Sequence, residues 1–104
     1  MKNEIIHSGP ANYFRGWESV GGKLTLYNDR LYFESHGIAI QANSHTILLK
    51  DIIEIKPTNS IGIVPNGLSV YTHYAKKEKF VVQNRKIWIE KLNAILKDIA
   101  EHPI

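Results

Sequence analysis

The chain has 104 residues, no cysteine, 13 Lys and Arg against 10 Asp and Glu, and a net charge of +3 with histidine counted as neutral. Its length suits one domain, and 43% hydrophobic residues can fill one core, which excludes a disordered chain. The lack of cysteine excludes disulfides, thiolate zinc sites, iron–sulfur clusters and cysteine nucleophiles, and the mild positive charge permits attraction to phosphate surfaces without requiring it.

The first predicted elements are a strand and a hairpin. Residues 4–15 predict a strand with a break or bulge at Gly9-Pro10. Residues 23–27 and 30–34 alternate apolar and other side chains, which predicts two half-buried strands. Asn28-Asp29 between them predicts a tight turn, because both residues tolerate positive φ.

Two more strands are predicted in the middle of the chain. Residues 46–49 form a short strand that is apolar at Ile47 and Leu49. The next strand carries Ile53 and Ile55 on one face. We expect that strand to stop at Pro57, because proline cannot donate to a ladder.

A second hairpin is predicted before the C-terminal segment. Residues 68–74 alternate, with Leu68, Val70, Thr72 and Tyr74 on one face, and residues 78–83 place Phe80 and Val82 inward. Residues 75–77 are the predicted loop between the two strands.

The last segment has a helical period. The following apolar residues recur on one face: Trp88, Leu92, Ile95, Leu96 and Ile99. Asn84 is the predicted N-cap, Lys91 and Lys97 are predicted to point outward, and His102-Pro103 is predicted to end the helix. Trp88 and Leu92 form a large apolar plug, so we expect this helix to cap the open end of a curved sheet.

Several segments together resemble a known family. Gly-Gly-Lys-Leu at 21–24 precedes Arg-Leu-Tyr-Phe at 30–33, a strand ends with Phe80, and a helix contains Trp88. The wider pattern comprises residues 9–16, 20–26, 28–36, 61–68 and 80–88. In this order and spacing, residues 9–96 resemble a GRAM domain of the small bacterial stand-alone kind.

The resemblance implies a fold and a function. The implied fold is mainly β with one C-terminal α-helix: a pleckstrin-homology-like barrel of two roughly orthogonal antiparallel sheets, with about seven strands. It would make residues 1–104 one domain, with strands within about 4–83 and the capping helix at about 84–101. The implied function is a link to membranes and lipid head groups. Fold transfers between relatives better than function does.

The resemblance also suggests a ligand-binding rim. In pleckstrin-homology-like folds the ligand meets the loops after strands one, three and six, which here correspond to residues 16–21, 35–44 and 75–77. Cationic groups at these loops could bind phosphate oxygens. The candidates are Arg15, Lys23, His36, Lys76 and Lys77. Glu18 interrupts this set, and the alternative is that these are scattered, solvated charges.

Two further candidate sites come from the residues themselves. Arg85 and Lys86 at the helix start oppose the helix dipole unless an anion shares the site, so they form a candidate anion site. The alternative is that Arg85 pairs with a carboxylate or packs along a strand. Ile61, Ile63 and Val64 form a candidate membrane or partner loop if exposed, or an extra short strand over the core if buried.

The remaining site chemistry is sparse. The five histidines include no close pair with a metal-ligand spacing, so we expect no metal. No nucleophile elbow, phosphate-binding loop or acid–base carboxylate pair is present, so we expect no enzyme activity and no cofactor. The densest basic cluster, residues 76–79, is interrupted by Glu78, and we expect no nucleic-acid partner.

The sequence therefore predicts a non-enzymatic binding module. It would associate peripherally with anionic lipid head groups or a membrane surface. The alternative is a protein-interaction or self-association module that uses a sheet edge or residues 61–64. The N-terminus has no apolar signal-like run, and we expect a cytoplasmic protein, peripheral at the inner face of the membrane if it binds lipid.

Overall fold

The computed structural model describes residues 4–15, 18–36, 44–60, 64–74 and 76–102. Within these residues it contains seven strands, a short 3-10 turn and one helix. In chain order they are β1 (Ile5–Arg15), β2 (Glu18–Tyr27), β3 (Arg30–Ser35), β4 (Ser44–Leu48), the 3-10 turn (Leu49–Asp51), β5 (Ile52–Ser60), β6 (Val64–Thr72), β7 (Lys76–Val82) and α1 (Arg85–Glu101). The prediction of a mainly β chain with one C-terminal helix is confirmed.

All neighbouring strands pair antiparallel, in the order β4-β3-β2-β1-β7-β6-β5. The two outer strands, β4 and β5, are consecutive in the chain and are joined by the 3-10 turn alone. In a flat sheet, six strand spacings of roughly 4.8 Å would place them about 29 Å apart. Three residues span only about 10 Å. The sheet must therefore curl until β4 approaches the end formed by β5, β6 and β7, and we call the gap between β4 and these three strands the seam.

The core lies inside this curl. Leu24 and Leu26 of β2, Leu31 and Phe33 of β3, and Phe80 of β7 are at most 1% exposed. They occupy alternate positions of their strands, as the period-two pattern predicts. The other buried apolar residues are Ala11, Ile47, Leu49, Leu68, Val70, Val82, Trp88 and Leu92.

Helix α1 packs against this core. It contacts β1, β5, β6 and the 3-10 turn, and its Trp88 and Leu92 are 1% and 0% exposed. The His7 ring meets the Trp88 ring edge-on, with centroids 4.5 Å apart. Lys91 and Lys97 are exposed. The predicted apolar plug is confirmed. No helix in the described part of the chain is both long enough and apolar enough to cross a membrane.

The helix begins after the predicted N-cap residue, but the cap has a different geometry. Asn84 has φ 55° and ψ 53°, and its side chain caps no backbone N–H. Its carbonyl oxygen instead accepts from the N–H groups of Ile87 and Trp88, at 2.9 and 3.3 Å. Asn84 is thus the N-cap residue, as predicted, but its side chain does not supply the capping hydrogen bond. A left-handed residue, which asparagine tolerates better than most, turns the chain from β7 into α1.

The predicted irregularity at Gly9-Pro10 is also wrong. The register shift lies between Ile5 and His7, while Gly9 and Pro10 pair regularly with Leu24 and Lys23. The pairing of β1 with β7 begins only at Ala11. Pro10 therefore lies where β1 has one strand neighbour, so its missing N–H removes no bond from a second ladder.

Strand β5 departs from the prediction at two residues. Ile53 was predicted to share an inward face with Ile55, but a register shift falls between Ile52 and Glu54, and Ile53 is 67% exposed. Pro57 was predicted to end the strand, yet it pairs with Leu68 and β5 continues to Ser60. Because β5 is an edge strand, one of its sides needs no donors, and a proline fits there.

Two turns have different details from those predicted. The turn after β2 lies at Asn28-Asp29, but neither residue has positive φ; Asn84 is the non-glycine residue with positive φ in the described chain. Lys76 and Lys77 were predicted to be loop residues, but they pair with Thr72 and Tyr71 as the first residues of β7. Tyr74 lies in the preceding turn and is 65% exposed, not on the inner face of β6.

Candidate functional site

Strand alternation places a set of lysines on the outer surface of the sheet. In β7, Glu78, Phe80 and Val82 are buried, so Lys77 and Lys79 lie on the opposite, outer face. Lys77 pairs with Tyr71 of β6, and Lys79 pairs with Ser69. Ser69 in turn pairs with Lys56 of β5, and Lys79 pairs with Phe14 of β1. We call the set Lys56, Lys77, Lys79, Tyr71 and Phe14 the lysine face.

Aromatic rings support two of these lysines. Lys56 Nζ lies 5.8 Å from the Tyr71 ring centroid, and Lys79 Nζ lies 5.2 Å from the Phe14 ring centroid. Lys56 Nζ also lies 3.8 Å from Glu54 Oε2, in an ion pair whose two side chains are more than half exposed. Such exposed pairs contribute little and leave the lysine accessible to another anion. The lysine face thus has three lysine ammonium groups, and the Glu54 carboxylate contacts one of them.

A groove adjoins the lysine face on the same outer surface. Asn12 of β1 pairs with Gly21 of β2 on one side and with Val81 of β7 on the other. Because Gly21 has no side chain, the surface over these three paired residues is open, and a cavity of about 320 Å³ lies there. We call it the outer groove. Its lining includes three carboxamide residues and one histidine: Asn12, Asn66, Gln83 and His36.

Two of the predicted rim residues lie at this groove. His36 lines it, and the His36 N–H donates to the Gly21 carbonyl oxygen at 3.0 Å. Lys23 lies two residues beyond Gly21 on β2 and pairs with Pro10, another lining residue, and with Glu34. Lys23 and His36 are both exposed.

Lys76 lies elsewhere. It shares the inward parity of Glu78 and lines a second cavity, of about 260 Å³, at the seam. Glu78 accepts from the Tyr13 hydroxyl at 2.6 Å and lies 3.0 Å from His45 Nε2. Asp51, which also lines the seam cavity, lies 3.0 Å from His73 Nε2. Lys76 therefore faces carboxylates, while Lys77, its chain neighbour, faces outward.

The candidate anion site at the helix start has a protein partner. Arg85 Nη1 donates to the Thr58 carbonyl oxygen at 2.7 Å, and lies 3.5 Å from the Gly67 carbonyl oxygen. Thr58 and Gly67 pair with each other across β5 and β6. The guanidinium thus ties the start of α1 to this strand pair. Lys86 is exposed.

The structure does not gather the predicted rim into one site. Lys23 and His36 lie by the outer groove, Lys77 lies on the lysine face, and Lys76 lies at the seam. Arg15 is the last residue of β1, and its side chain lies outside the described part. Ile61 and Ile63 lie outside the described residues, and Val64 is the first residue of β6. Among the described residues, no group of three His, Asp or Glu side chains could hold a metal ion.

Sequence reasoning did not single out Lys56, Lys79, Tyr71 or the carboxamides. A signal for Lys79 was present, because it alternates with Phe80, which was predicted to be buried. A signal for Lys56 was present as well, because it alternates with Ile55, which pairs with the buried Val70. The strands that lie beside β5 and complete this face could not be predicted from the sequence.

Comparisons with known proteins place the fold. A scan against models of protein families gives no match, and no curated protein matches in sequence. Among solved structures, the C-terminal domain of an unknown protein from Leishmania infantum is similar, with a TM-score of 0.79, 19% identity, and 90% of this chain and 84% of that chain covered.

Fragments of Rho exchange factors are also similar. The structure of human RhoA with the DH/PH fragment of PDZRHOGEF gives a TM-score of 0.71 and 14% identity, and covers 92% of this chain and 29% of that chain. The N-terminally truncated linker-DH/PH domains of p115-RhoGEF give a TM-score of 0.73 and 15% identity, and cover 93% of this chain and 30% of that chain. This chain thus spans about a third of those chains. The likeness shows that the fold is pleckstrin-homology-like, as predicted.

Proposed function

We propose that this chain is a non-enzymatic binding module that associates with anionic lipid head groups through the lysine face. One observation carries the proposal: Lys56, Lys77 and Lys79 lie on one outer surface of three adjacent strands, with Tyr71 between Lys56 and Lys77 and with Phe14 beside Lys79. Such an arrangement can meet several phosphates of a surface at once. The resemblance to GRAM domains, which no family-model match supports, points to the same class of partner.

The expected strength follows from the charge. A lysine near an anionic bilayer contributes on the order of 1 kcal/mol. Three lysines then contribute about 3 kcal/mol, which supports weak, reversible association. Tyr71 adds an amphipathic ring of the kind that favours a membrane–water interface. Because the attraction is electrostatic and exposed, binding should weaken as salt shortens the Debye length.

The seam is a poorer candidate for the same ligand. Lys76 there lies in a cavity that Glu78 and Asp51 also line. An anionic head group would meet these carboxylates at close range. Like charges repel, so the lysine face is the more favourable surface for anions.

Vesicle co-sedimentation tests the proposal. Wild-type protein should sediment with vesicles that contain anionic lipid, and not with neutral ones, and should be released as salt rises. The double variant Lys56→Glu/Lys77→Glu should bind at least about tenfold more weakly. Lys91→Glu/Lys97→Glu, on exposed positions of α1, makes the same change in net charge and is the matched control.

Two results would contradict the proposal. If the protein did not bind anionic vesicles at low salt, the proposed lipid association would be wrong. An equal loss in both double variants would show that net charge, and not the lysine face, drives the association.

A protein partner is the second candidate. Strands β4 and β5 end the sheet, so each has an edge that no described strand covers. Ile53 on β5 is 67% exposed beside that edge. Edges of this kind accept an added strand. One similar structure is human RhoA in complex with a DH/PH fragment, and this supports a protein partner as the second candidate. Light scattering at several concentrations tests self-association, and a stable oligomer indifferent to lipid would favour this candidate.

A further inference from the structure

The seam cavity has opposite charges on two sides. Asp51 precedes β5 and Lys76 begins β7, and both line this cavity of about 260 Å³. Thr72 of β6 lies between them, because it pairs with Ile52 of β5 and with Lys76. Two strand spacings of roughly 4.8 Å place the backbones of Asp51 and Lys76 about 10 Å apart. A small molecule in the cavity could therefore reach a carboxylate and an ammonium group at once.

Both charged groups can take a further partner. Asp51 Oδ1 lies 3.0 Å from His73 Nε2, while Asp51 Oδ2 has no hydrogen-bond partner among the described residues. Lys76 forms no ion pair with any carboxylate of the described chain. Glu78 differs, because its two oxygens are already engaged by Tyr13 and His45. Asp51 Oδ2 and Lys76 Nζ are thus the two charged groups that a ligand would meet.

Thr72 adds a polar group to the wall between these charges. Its side chain is 7% exposed, and its hydroxyl has no hydrogen-bond partner in the described part of the chain. A buried hydroxyl without a partner costs free energy, whereas an apolar group of the same shape would not. A ligand that forms a hydrogen bond with this hydroxyl would remove that cost.

Carbon surface completes the lining. Ile47 and Leu48 of β4 line the cavity on one side, and Tyr74 lines it near the turn after β6. Leu48 is 40% exposed and Tyr74 is 65% exposed, which is high for large side chains of this kind. A ligand with an apolar group would cover part of this surface, and the burial would favour binding.

We propose that the seam cavity binds a small α-amino acid with an apolar side chain. Its ammonium group would contact Asp51, its carboxylate would contact Lys76, and its side chain would lie against Leu48 and Tyr74. A ligand with only a positive charge would be repelled by Lys76, and one with only a negative charge by Asp51 and Glu78. The cavity is smaller than typical sites for drug-sized ligands, which suits a molecule of the size of leucine. This site is separate from the proposed lipid association and uses no residue of the lysine face.

NMR titration of the purified protein with three soluble probes tests the proposal. The probes are leucine, isopentylamine, which is leucine without the carboxylate, and isocaproate, which is leucine without the ammonium group. We expect leucine to bind at least about tenfold more tightly than either analogue, because each analogue lacks one charge-assisted hydrogen bond. The backbone amide signals of Thr46, Thr72 and Lys76, which line the cavity, should shift on binding.

Lys76→Met tests the carboxylate contact. Methionine keeps much of the carbon chain but has no charge, so the variant should lose the preference for leucine over isopentylamine. Lys97→Met is the matched control, because Lys97 is exposed on α1 and does not line the cavity. It should bind leucine as wild type does.

Thr72→Val tests the hydroxyl with a side chain of the same shape. We expect leucine to bind several-fold more weakly to this variant. The unliganded variant should be at least as stable as wild type in urea denaturation, because it no longer buries an unpaired hydroxyl. A merely structural role for Thr72 would change the stability and leave the affinity for leucine unchanged.

Four results would overturn the proposal: no binding of leucine to the wild-type protein, equal affinity for the three probes, tighter binding of isopentylamine than of leucine, or a preference for leucine that survives Lys76→Met. An equal loss in Lys76→Met and Lys97→Met would also overturn it, because net charge would then explain the effect. The probes are soluble and need no vesicle, so these results leave the test of the lysine face unaffected.

Discussion

His45 on β4 and Glu78 on β7 lie with Nε2 and Oε2 3.0 Å apart, although three strands separate β4 from β7 in the sheet. The Tyr13 hydroxyl donates to the other Glu78 oxygen at 2.6 Å, and the Tyr13 and His45 rings stack with centroids 5.0 Å apart. A contact between strands so distant in the sheet is possible only because the sheet curls. These three side chains therefore bind the seam together.

Removal of the Glu78 side chain should destabilise the fold. Glu78 is 8% exposed, and its loss would leave the Tyr13 hydroxyl and the His45 imidazole without this acceptor. We expect Glu78→Ala to lower the free energy of unfolding by about 1–3 kcal/mol, measured by urea denaturation. Glu90→Ala, at an exposed position of α1, should change it by less than about 0.5 kcal/mol. Equal effects of the two substitutions would show that the seam contact contributes nothing.

Gly22 should tolerate no side chain. A Cβ there would lie 2.2 Å from the Glu34 carbonyl oxygen and 2.7 Å from Phe33 Cζ. We expect Gly22→Ala to destabilise by about 1–3 kcal/mol, as overpacked cores do. Gly21→Ala, one residue earlier, meets only Asn12 Nδ2 at 3.7 Å and should be close to neutral. The melting temperatures of the two variants measure the difference, and a similar melting temperature for both would contradict the close packing at Gly22.

The apolar face of α1 should contribute much of the stability. Leu92 is 0% exposed, and Leu92→Ala removes its packing and leaves a cavity. We expect a loss of about 2–5 kcal/mol in the free energy of unfolding. Ile87→Ala, on the same helix but 40% exposed, is the control and should cost clearly less. Circular dichroism during urea denaturation follows both variants, and equal losses would mean that the helix does not seal the core.

Arg85 should have a structural effect that Lys86 lacks. Its guanidinium donates to the Thr58 carbonyl oxygen at 2.7 Å, and hydrogen bonds to charged groups contribute more than neutral ones. We expect Arg85→Ala to destabilise by about 1–3 kcal/mol in urea denaturation, whereas Lys86→Ala should be within about 0.5 kcal/mol of wild type. The reverse order would favour the alternative in which these residues serve a bound anion and not the packing of α1.

The sequence predicted the core better than the irregular positions. Leu24, Leu26, Phe33 and Phe80 follow a strict period of two, and burial selects for that period directly. Ile53 follows the same period and is exposed, because the register shift between Ile52 and Glu54 makes it an extra residue without a partner in the register of β5 and β6. Nothing local to residues 52–54 reveals that shift.

The candidate site was less predictable because it depends on which strands are neighbours. Lys56 and Lys79 are far apart in the chain and come together through Ser69, which pairs with both. The outer groove likewise needs β1 to lie between β2 and β7. Alternation within one strand predicts the face on which a side chain lies. It does not predict which strands are neighbours, because the tertiary fold determines that.

Lys76 and Lys77 offer the sharpest test of the lysine face, because adjacent residues of a strand point to opposite sides. Both are exposed lysines, so Lys76→Glu and Lys77→Glu change the net charge equally. Lys77 pairs with Tyr71 on the lysine face, whereas Lys76 lines the seam cavity with Glu78 and Asp51. We expect Lys77→Glu to weaken binding to anionic vesicles several-fold and to flatten its salt dependence, and Lys76→Glu to have a smaller effect on both.

Lys76→Glu should instead affect stability, since it places a third carboxylate beside Glu78 and Asp51. Urea denaturation should show it to be less stable than Lys77→Glu. Co-sedimentation of both variants at two salt concentrations completes the comparison. If the two substitutions weaken vesicle binding equally, the membrane meets the end of the sheet where both lysines begin β7, and the outer surface of β5, β6 and β7 is not the contact.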